Sequence, residues 1–486
     1  MIDPLCLLSA TELARRIRDR ESSAHDVVLA HVRRVQEVDG ALNAVVEDRF
    51  GAALDEARRA DEHLATLSAG ERAGLPPFFG VPCTIKEAFA LEGMPNTGGL
   101  FARKGRKATE DATCVKRLRA AGAIPLGVTN VSELCMWLES DNRVYGRTNN
   151  AYDGARTSGG SSGGEGAIVG AGGSPFGLGS DVGGSIRMPA FFNGVFGHKP
   201  SGGLVPSSGQ FPCAENDALR YLASGPICRR AEDLMPLLRV LAGPDGKDAR
   251  ARPIPLGEPD DVDVDGMRVV LVRRNHIVEV EPELAQALDR AASALSARGA
   301  RVIEARIDKL AASLEMWSAM MHAAGGDSFA EFMGSGVAVN AVGELARWTV
   351  GRSHHTLPAI VLALVEKVPD LFPARAEALV AQALELRHDV ESLIGPGGVM
   401  LFPPFPRIAP KHNRPLLTPL DFAYTAVFNA LESPVTAVPL GLGSRGLPLG
   451  VQVVGVHGED HVPIAVANAL EESFGGWVAP ARFEAA

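Results

Sequence analysis

The sequence predicts an α/β fold, on three observations. Short apolar stretches that read as strands alternate with stretches of helical periodicity between Val81 and Val128, and this β-then-α order argues for an α/β sheet. The chain has 486 residues, 46% hydrophobic and 22% charged, which is enough apolar material for a large core and argues against global disorder. From Gly159 to Gly184 there are 12 glycines in 26 residues, yet Ile168, Val169, Phe176, Leu178 and Val182 are spread among them. Such a segment reads as packed and sharply turning rather than as a flexible linker.

Along the chain, Ser9-x-x-Glu12 has the form of a capping box that opens a helix through about Asp19. Ser23-x-x-Asp26 starts a second helix, and a third covers Ala52 to Leu67. Val81 to Ile85 reads as a short buried strand with Lys86 at its end. Thr113 to Ala121 is helical and stopped by Gly122, and Ala123 to Val128 is a strand. After Pro200 the pattern loosens. Met267 to Val272 reads as a strand, Pro282 to Arg298 as a helix closed by Gly299, and Arg301 to Ala305 as another strand. Residues 310 to 395 look mainly helical. Ala426 to Leu431 supplies a closing helix, and Val435 to Leu440 and Gly450 to Val456 supply two strands.

Composition excludes several function classes. A formal net charge of -10 without a long Lys/Arg cluster is unsuited to gripping phosphate backbones, so no nucleic-acid partner is expected. The six cysteines form no C-x-x-C pair, which fits a reduced, cytoplasmic protein and removes the usual zinc spacings. Met1 to Ala10 does not read as a signal peptide, and no run of 18 apolar residues predicts a membrane span.

Three motifs match in form only. Gly159 to Gly163 fits G-x-S-x-G, but that nucleophile elbow needs a hydrophobic strand before it, and Asp153 to Ser158 do not form one. Gly441 to Gly446 fits G-x-G-x-x-G, but Leu447-Pro448 stands where a helix should begin, so a strand-to-strand loop is the better reading. His354-His355 is a lone pair, read as surface or core rather than as metal ligands.

The run from Gly159 to Ala190 resembles the signature of the amidase signature family across 32 residues. Gly80 to Glu87 resembles that family's lysine segment. Phe191 to Pro200, Pro410 to His412, Ala423 to Thr425 and Leu447 to Gln452 resemble its fatty-acid amide hydrolase branch. The likeness runs from about Leu5 to the C-terminus. It implies a single domain over 1–486, built on a large twisted mixed β-sheet with α-helices on both sides. Within it, 1–70 would be N-terminal helices, 75–240 the catalytic core, 310–400 a mainly helical substrate-specificity region and 401–486 the closing part of the core.

The resemblance also implies a hydrolase of carboxylic amides acting through an acyl-enzyme. Lys86 matches the family's lysine, Ser161 the serine preceded by a cis peptide, and Ser185 the nucleophile. The backbone amides of Val182, Gly183, Gly184 and Ser185 match the oxyanion hole. Ser162, Ser180, Asp181 and Arg187 support the loop. No cofactor or metal is implied, the partner is a small-molecule amide, and a homodimer is left open.

The chemistry of these residues is coherent. A serine hydroxyl needs a base, and a lysine can serve if burial keeps it neutral. From position alone, Lys86 reads equally well as a surface residue. A second serine can pass a proton both ways, which amide cleavage needs because the amine must leave protonated. Leu310 to Phe372 carries Met316, Trp317, Met320, Met321, Phe329, Phe332, Met333 and Trp348, read either as helix packing or as an apolar channel or lid. Cys135, Met136 and Trp137 are candidates for the acyl pocket. The alternative function is the A-type subunit of a glutamine-dependent tRNA amidotransferase, which shares the signature.

Overall fold

The computed structural model describes residues 2–366 and 371–483. Among these, eleven strands form one mixed sheet. In chain order they are β1 (Val45–Asp48), β2 (Pro82–Lys86), β3 (Ile124–Thr129), β4 (Phe176–Asp181), β5 (Phe196–Lys199), β6 (Ala223–Cys228), β7 (Arg268–Leu271), β8 (Arg301–Glu304), β9 (Val399–Phe402), β10 (Val435–Leu442) and β11 (Pro448–Val454). Across the sheet they lie β1-β3-β2-β4-β6-β5-β10-β11-β9-β7-β8. β2 is parallel to both β3 and β4, and β9, β7 and β8 are parallel in turn. The strands from β4 through β6, β5, β10 and β11 to β9 alternate in direction.

Helices cover both faces, and the period of two along a strand shows it. On β9, Val399 and Leu401 join one apolar core, whereas Met400 and Phe402 join another. The first core is completed by Leu284, Leu288 and Leu295 of the helix Pro282–Ala297. The second takes Met316 and Met320 of the helix Ser313–Ala323, and Leu386 and Val390 of Pro373–Ile394.

The expected elements through Val128 form with shifts of one or two residues. Ser9 caps its helix by accepting from the Glu12 amide at 2.9 Å. The reciprocal half of the box is absent, because the Glu12 carboxylate is held by Arg15 and Arg16 instead. Among the described residues five α-helices lie within 313–394, and residues 367–370 of the expected 310–395 segment fall outside the described residues. The Gly441–Gly446 loop joins the antiparallel strands β10 and β11. Strand β4 is unforeseen, because glycine is ordinarily a weak strand former. Here Gly177 is required by a close approach: a Cβ on it would stand 1.8 Å from Glu165 Oε2.

Candidate active site

Strands β2 and β4 are parallel neighbours with Ile85 opposite Leu178, so their C-terminal ends open side by side. Lys86 ends β2, and Ser180 and Asp181 end β4. Ser161 and Ser162 precede the helix Gly163–Gly170, and Ser185 lies just before the helix Arg187–Phe192.

Lys86 Nζ donates to Ser161 Oγ at 2.7 Å and to Ser180 Oγ at 2.9 Å. The Gly160–Ser161 peptide is cis. Ser140 Oγ donates to the Ser161 carbonyl at 3.1 Å and accepts from the Gly163 amide at 2.8 Å, which pins the turn on both sides. The Ser162 amide donates to the Ser185 carbonyl at 3.3 Å, so the two serine segments meet directly. Lys86 is 0% exposed, Ser161 1% and Ser185 6%. Burial is the largest influence on Lys86 and lowers its pKa; Cys135, Asp181 and Glu165 pull it back up only in part. The ammonium form is thus disfavoured where a neutral amine is useful.

The loop carrying Ser185 is fixed by a buried ion pair. Arg187 Nε and Nη2 each donate to Asp181 at 2.9 Å. The same guanidinium donates to the Thr425 carbonyl, to Gln452 Oε1 and to Asn429 Oδ1. Burial alone would raise the Asp181 pKa; the Arg187 charge and hydrogen bonds outweigh it and hold the carboxyl below its ordinary range.

Asp181 also takes one of the amides expected in the oxyanion hole. Its Oδ1 accepts from the Gly184 amide at 2.7 Å, so that N–H is already committed. Asp181 also accepts from the Ile186 and Arg187 amides, and takes none from Val182, Gly183 or Ser185. Thr425 Oγ1 donates to the Gly183 carbonyl at 2.7 Å, and Trp317 Nε1 donates to the Val182 carbonyl at 2.7 Å. Both carbonyls are thereby turned to fixed partners.

Ser161, Ser180, Val182 and Ser185 line one end of a pocket of about 900 Å³, counted with its open mouth. Leu134, Cys135 and Met136 form the adjoining wall. Trp137, expected beside them, is not in the lining. Its amide donates to Ser132 Oγ at 3.2 Å, and its carbonyl presses on Gly160, where a Cβ would meet it at 2.3 Å. It supports the cis turn rather than the substrate.

The helical region divides the same way. Met321, Phe329 and Phe332 line the pocket, while Met316, Met320 and Met333 are buried in helix packing. His355 Nδ1 pairs with Glu133 Oε1 at 2.6 Å and His354 stacks on Phe101, so neither is placed as a metal ligand. Among the described residues no group of three or more His, Cys, Asp or Glu could hold a metal ion.

Sequence reasoning missed three features. Gln210 lines the pocket, buried, with its Oε1 lacking a hydrogen-bond partner among the described residues. Ser180 touches the lysine itself rather than only the loop. Asn429 and Gln452 complete the Arg187 clasp, and only the likeness around Leu447 to Gln452 hinted at the latter.

The family model described as Amidase matches residues 26–462. The chain belongs to the amidase family. This amidase is 47% identical to fatty-acid amide hydrolase 2-A of Danio rerio, over 99% of its own length and 91% of that protein's. It is 32% identical to the acylamidase of Rhodococcus erythropolis, over 96% of its length and 95% of that enzyme's. The solved structure of a 6-aminohexanoate cyclic dimer hydrolase with its substrate superposes with a TM-score of 0.78 at 26% identity. That match covers 99% of this amidase and 100% of the other chain. The chain is therefore an amide-hydrolysing enzyme.

Proposed function

We propose that this amidase cleaves amides of lipophilic acyl groups by acyl transfer through Ser185, with Ser161 as proton relay and Lys86 as base. The observation that carries this reading is the 2.7 Å contact between the wholly buried Lys86 amine and Ser161 Oγ. With Lys86 neutral, the Ser161 hydroxyl gives its proton to Nζ while taking one from Ser185 Oγ. Ser185 Oγ then adds to the substrate carbonyl, and the oxyanion falls to the amides of Val182, Gly183 and Ser185. The Lys86 proton returns through Ser161 to the substrate nitrogen, the C–N bond breaks and the amine leaves. Water repeats the relay on the Ser185 ester and releases the acid.

The lining supports an apolar acyl group: Leu134, Met136, Met321, Phe329 and Phe332 line the same pocket as Ser185. A fatty-acid amide hydrolase as a 47% identical relative supports the same class. Among the described residues no helix is long and apolar enough to cross a membrane, and six unpaired cysteines favour a cytoplasmic setting.

The test is hydrolysis by the purified chain of a panel of acyl anilides, fatty amides and short polar amides. Turnover of the lipophilic members without any partner is expected, and Ser185→Ala should abolish both turnover and labelling by a fluorophosphonate. Activity that required a partner protein would fit the amidotransferase class instead. Turnover surviving in Ser185→Ala would overturn the nucleophile.

A further inference from the structure

Glu165 is a fully buried carboxyl for which the mechanism above has no task. It is the third residue of the helix Gly163–Gly170, directly behind the cis turn. Thr84 Oγ1 donates to its Oε2 at 2.5 Å, and Thr129 Oγ1 donates to its Oε1 at 2.9 Å. Both threonines stand close to Lys86 in the sheet. Thr84 is two residues before Lys86 on β2 and so shares its face, and Thr129 is the residue opposite Lys86 in β3. Glu165 thus lies against the same sheet face as the lysine, held by one residue on the lysine's own strand and one beside it. Gly177 of β4 leaves it room on the third side.

Two neutral hydroxyls are the whole of its side-chain hydrogen bonding among the described residues, with no arginine or lysine hydrogen-bonded to it. A carboxylate so placed is costly, and burial pushes this one up to about 8. Around Lys86 the titratable groups are Cys135, Asp181 and Glu165. Asp181 is committed to Arg187, and burial holds the Cys135 thiol above its ordinary value. Cys83, farther down β2, is the other titratable group near Glu165, and burial holds its thiol protonated. Among these carboxyls Glu165 is the one held by neutral hydroxyls and not by a guanidinium.

We propose that Glu165 is a positioning residue for the base: it competes with Lys86 for one proton, and so sets the share of enzyme in which Lys86 is unprotonated. This rests on the reading of Lys86 as base. Removing one proton from the doubly protonated pair gives either a neutral lysine beside a carboxylic acid or an ammonium beside a carboxylate. The first form takes the Ser161 proton; the second does not. Both carry the same number of protons, so pH does not alter their ratio, and only the site can.

The experiment is the pH profile of kcat/KM for the full chain with an acyl anilide. Glu165→Gln keeps the shape and both threonine contacts but cannot hold the charge. Its acid limb is expected to move to lower pH by about one unit, because no carboxylate then stabilises the ammonium. A purely structural role would lower the whole profile without displacing it. An unmoved limb, or one displaced upward, overturns the proposal. Should Glu165→Gln fail to fold, Thr129→Val removes one donor to the carboxylate and is expected to shift the limb in the same direction by less; no shift there overturns it equally. Lys86→Ala tests the underlying reading separately, since a limb that persists without Lys86 refutes the base and not the coupling.

Discussion

Adjacent glycines before the nucleophile should respond very differently to one added methyl group. Gly184 has φ +123°, and a Cβ there would stand 2.2 Å from Thr425 Oγ1 and 2.6 Å from Thr425 Cβ. Alanine in that backbone region is strained by about 1–3 kcal/mol. Moving Thr425 aside also breaks its hydrogen bond to the Gly183 carbonyl, a loss of about 1 kcal/mol. The loop would thus be penalised by roughly 2–4 kcal/mol in its working shape, and at 1.36 kcal/mol per decade that is a fall in kcat/KM of roughly 30- to 1000-fold. Gly183 is the control: its added Cβ would meet nothing nearer than Trp317 Cζ2 at 3.5 Å, an ordinary contact. We expect Gly183→Ala to keep activity within about tenfold of the parent. The assay is kcat/KM with an acyl anilide beside the rate of fluorophosphonate labelling, with circular dichroism to establish that each variant is folded. Gly184→Ala active within threefold of the parent, or the two variants equally impaired, would refute the steric account of this loop.

Two further outcomes concern stability. Arg187→Met strands the Asp181 carboxylate in a buried site together with Asn429 and Gln452, and should destabilise the fold by about 3–5 kcal/mol, read as a lower urea midpoint. A midpoint within error of the parent would show that the pair is not holding the fold. Glu165 is the raised case of linkage: its pKa climbs from an ordinary 4.5 to about 8, so its contribution is full below 4.5 and is lost as pH rises through about 8. Unfolding free energy measured from pH 5 to 8 should therefore fall less steeply in Glu165→Gln than in the parent, and parallel slopes would contradict that shift.

The candidate triad is legible through resemblance: Gly80 to Glu87 resembles the family's lysine segment and Gly159 to Ala190 its serine signature, while position alone leaves Lys86 equally readable as a surface residue. Val81 to Ile85 is an apolar run with a lysine at its end, and the two serines sit in one glycine-rich segment. What escapes depends on chain direction and on distant contacts. Leu134 and Cys135 both take left-handed φ values, 54° and 59°, so the chain turns sharply there. Being next to Met136 in sequence therefore does not carry Trp137 into the pocket. Strand β4 is hidden because its glycines yield space to Glu165 and Ile186, a demand set by the helix before it and the turn after it. The Gly184 amide, one of the four expected in the oxyanion hole, has an acceptor three residues upstream that sequence spacing did not reveal.

The Arg187 clasp has a consequence for how the enzyme comes into being. The residues that hold this guanidinium lie on both sides of a long stretch of chain: Asp181 is six positions behind it, whereas Asn429 and Gln452 are 242 and 265 positions ahead. During synthesis the entire serine signature leaves the ribosome long before its anchors exist. A shortened chain ending before β11 would contain Lys86, Ser161 and Ser185 and lack Gln452, one of the residues that hold the Arg187 guanidinium. Closing the clasp on Arg187 therefore waits for β11, which carries Gln452.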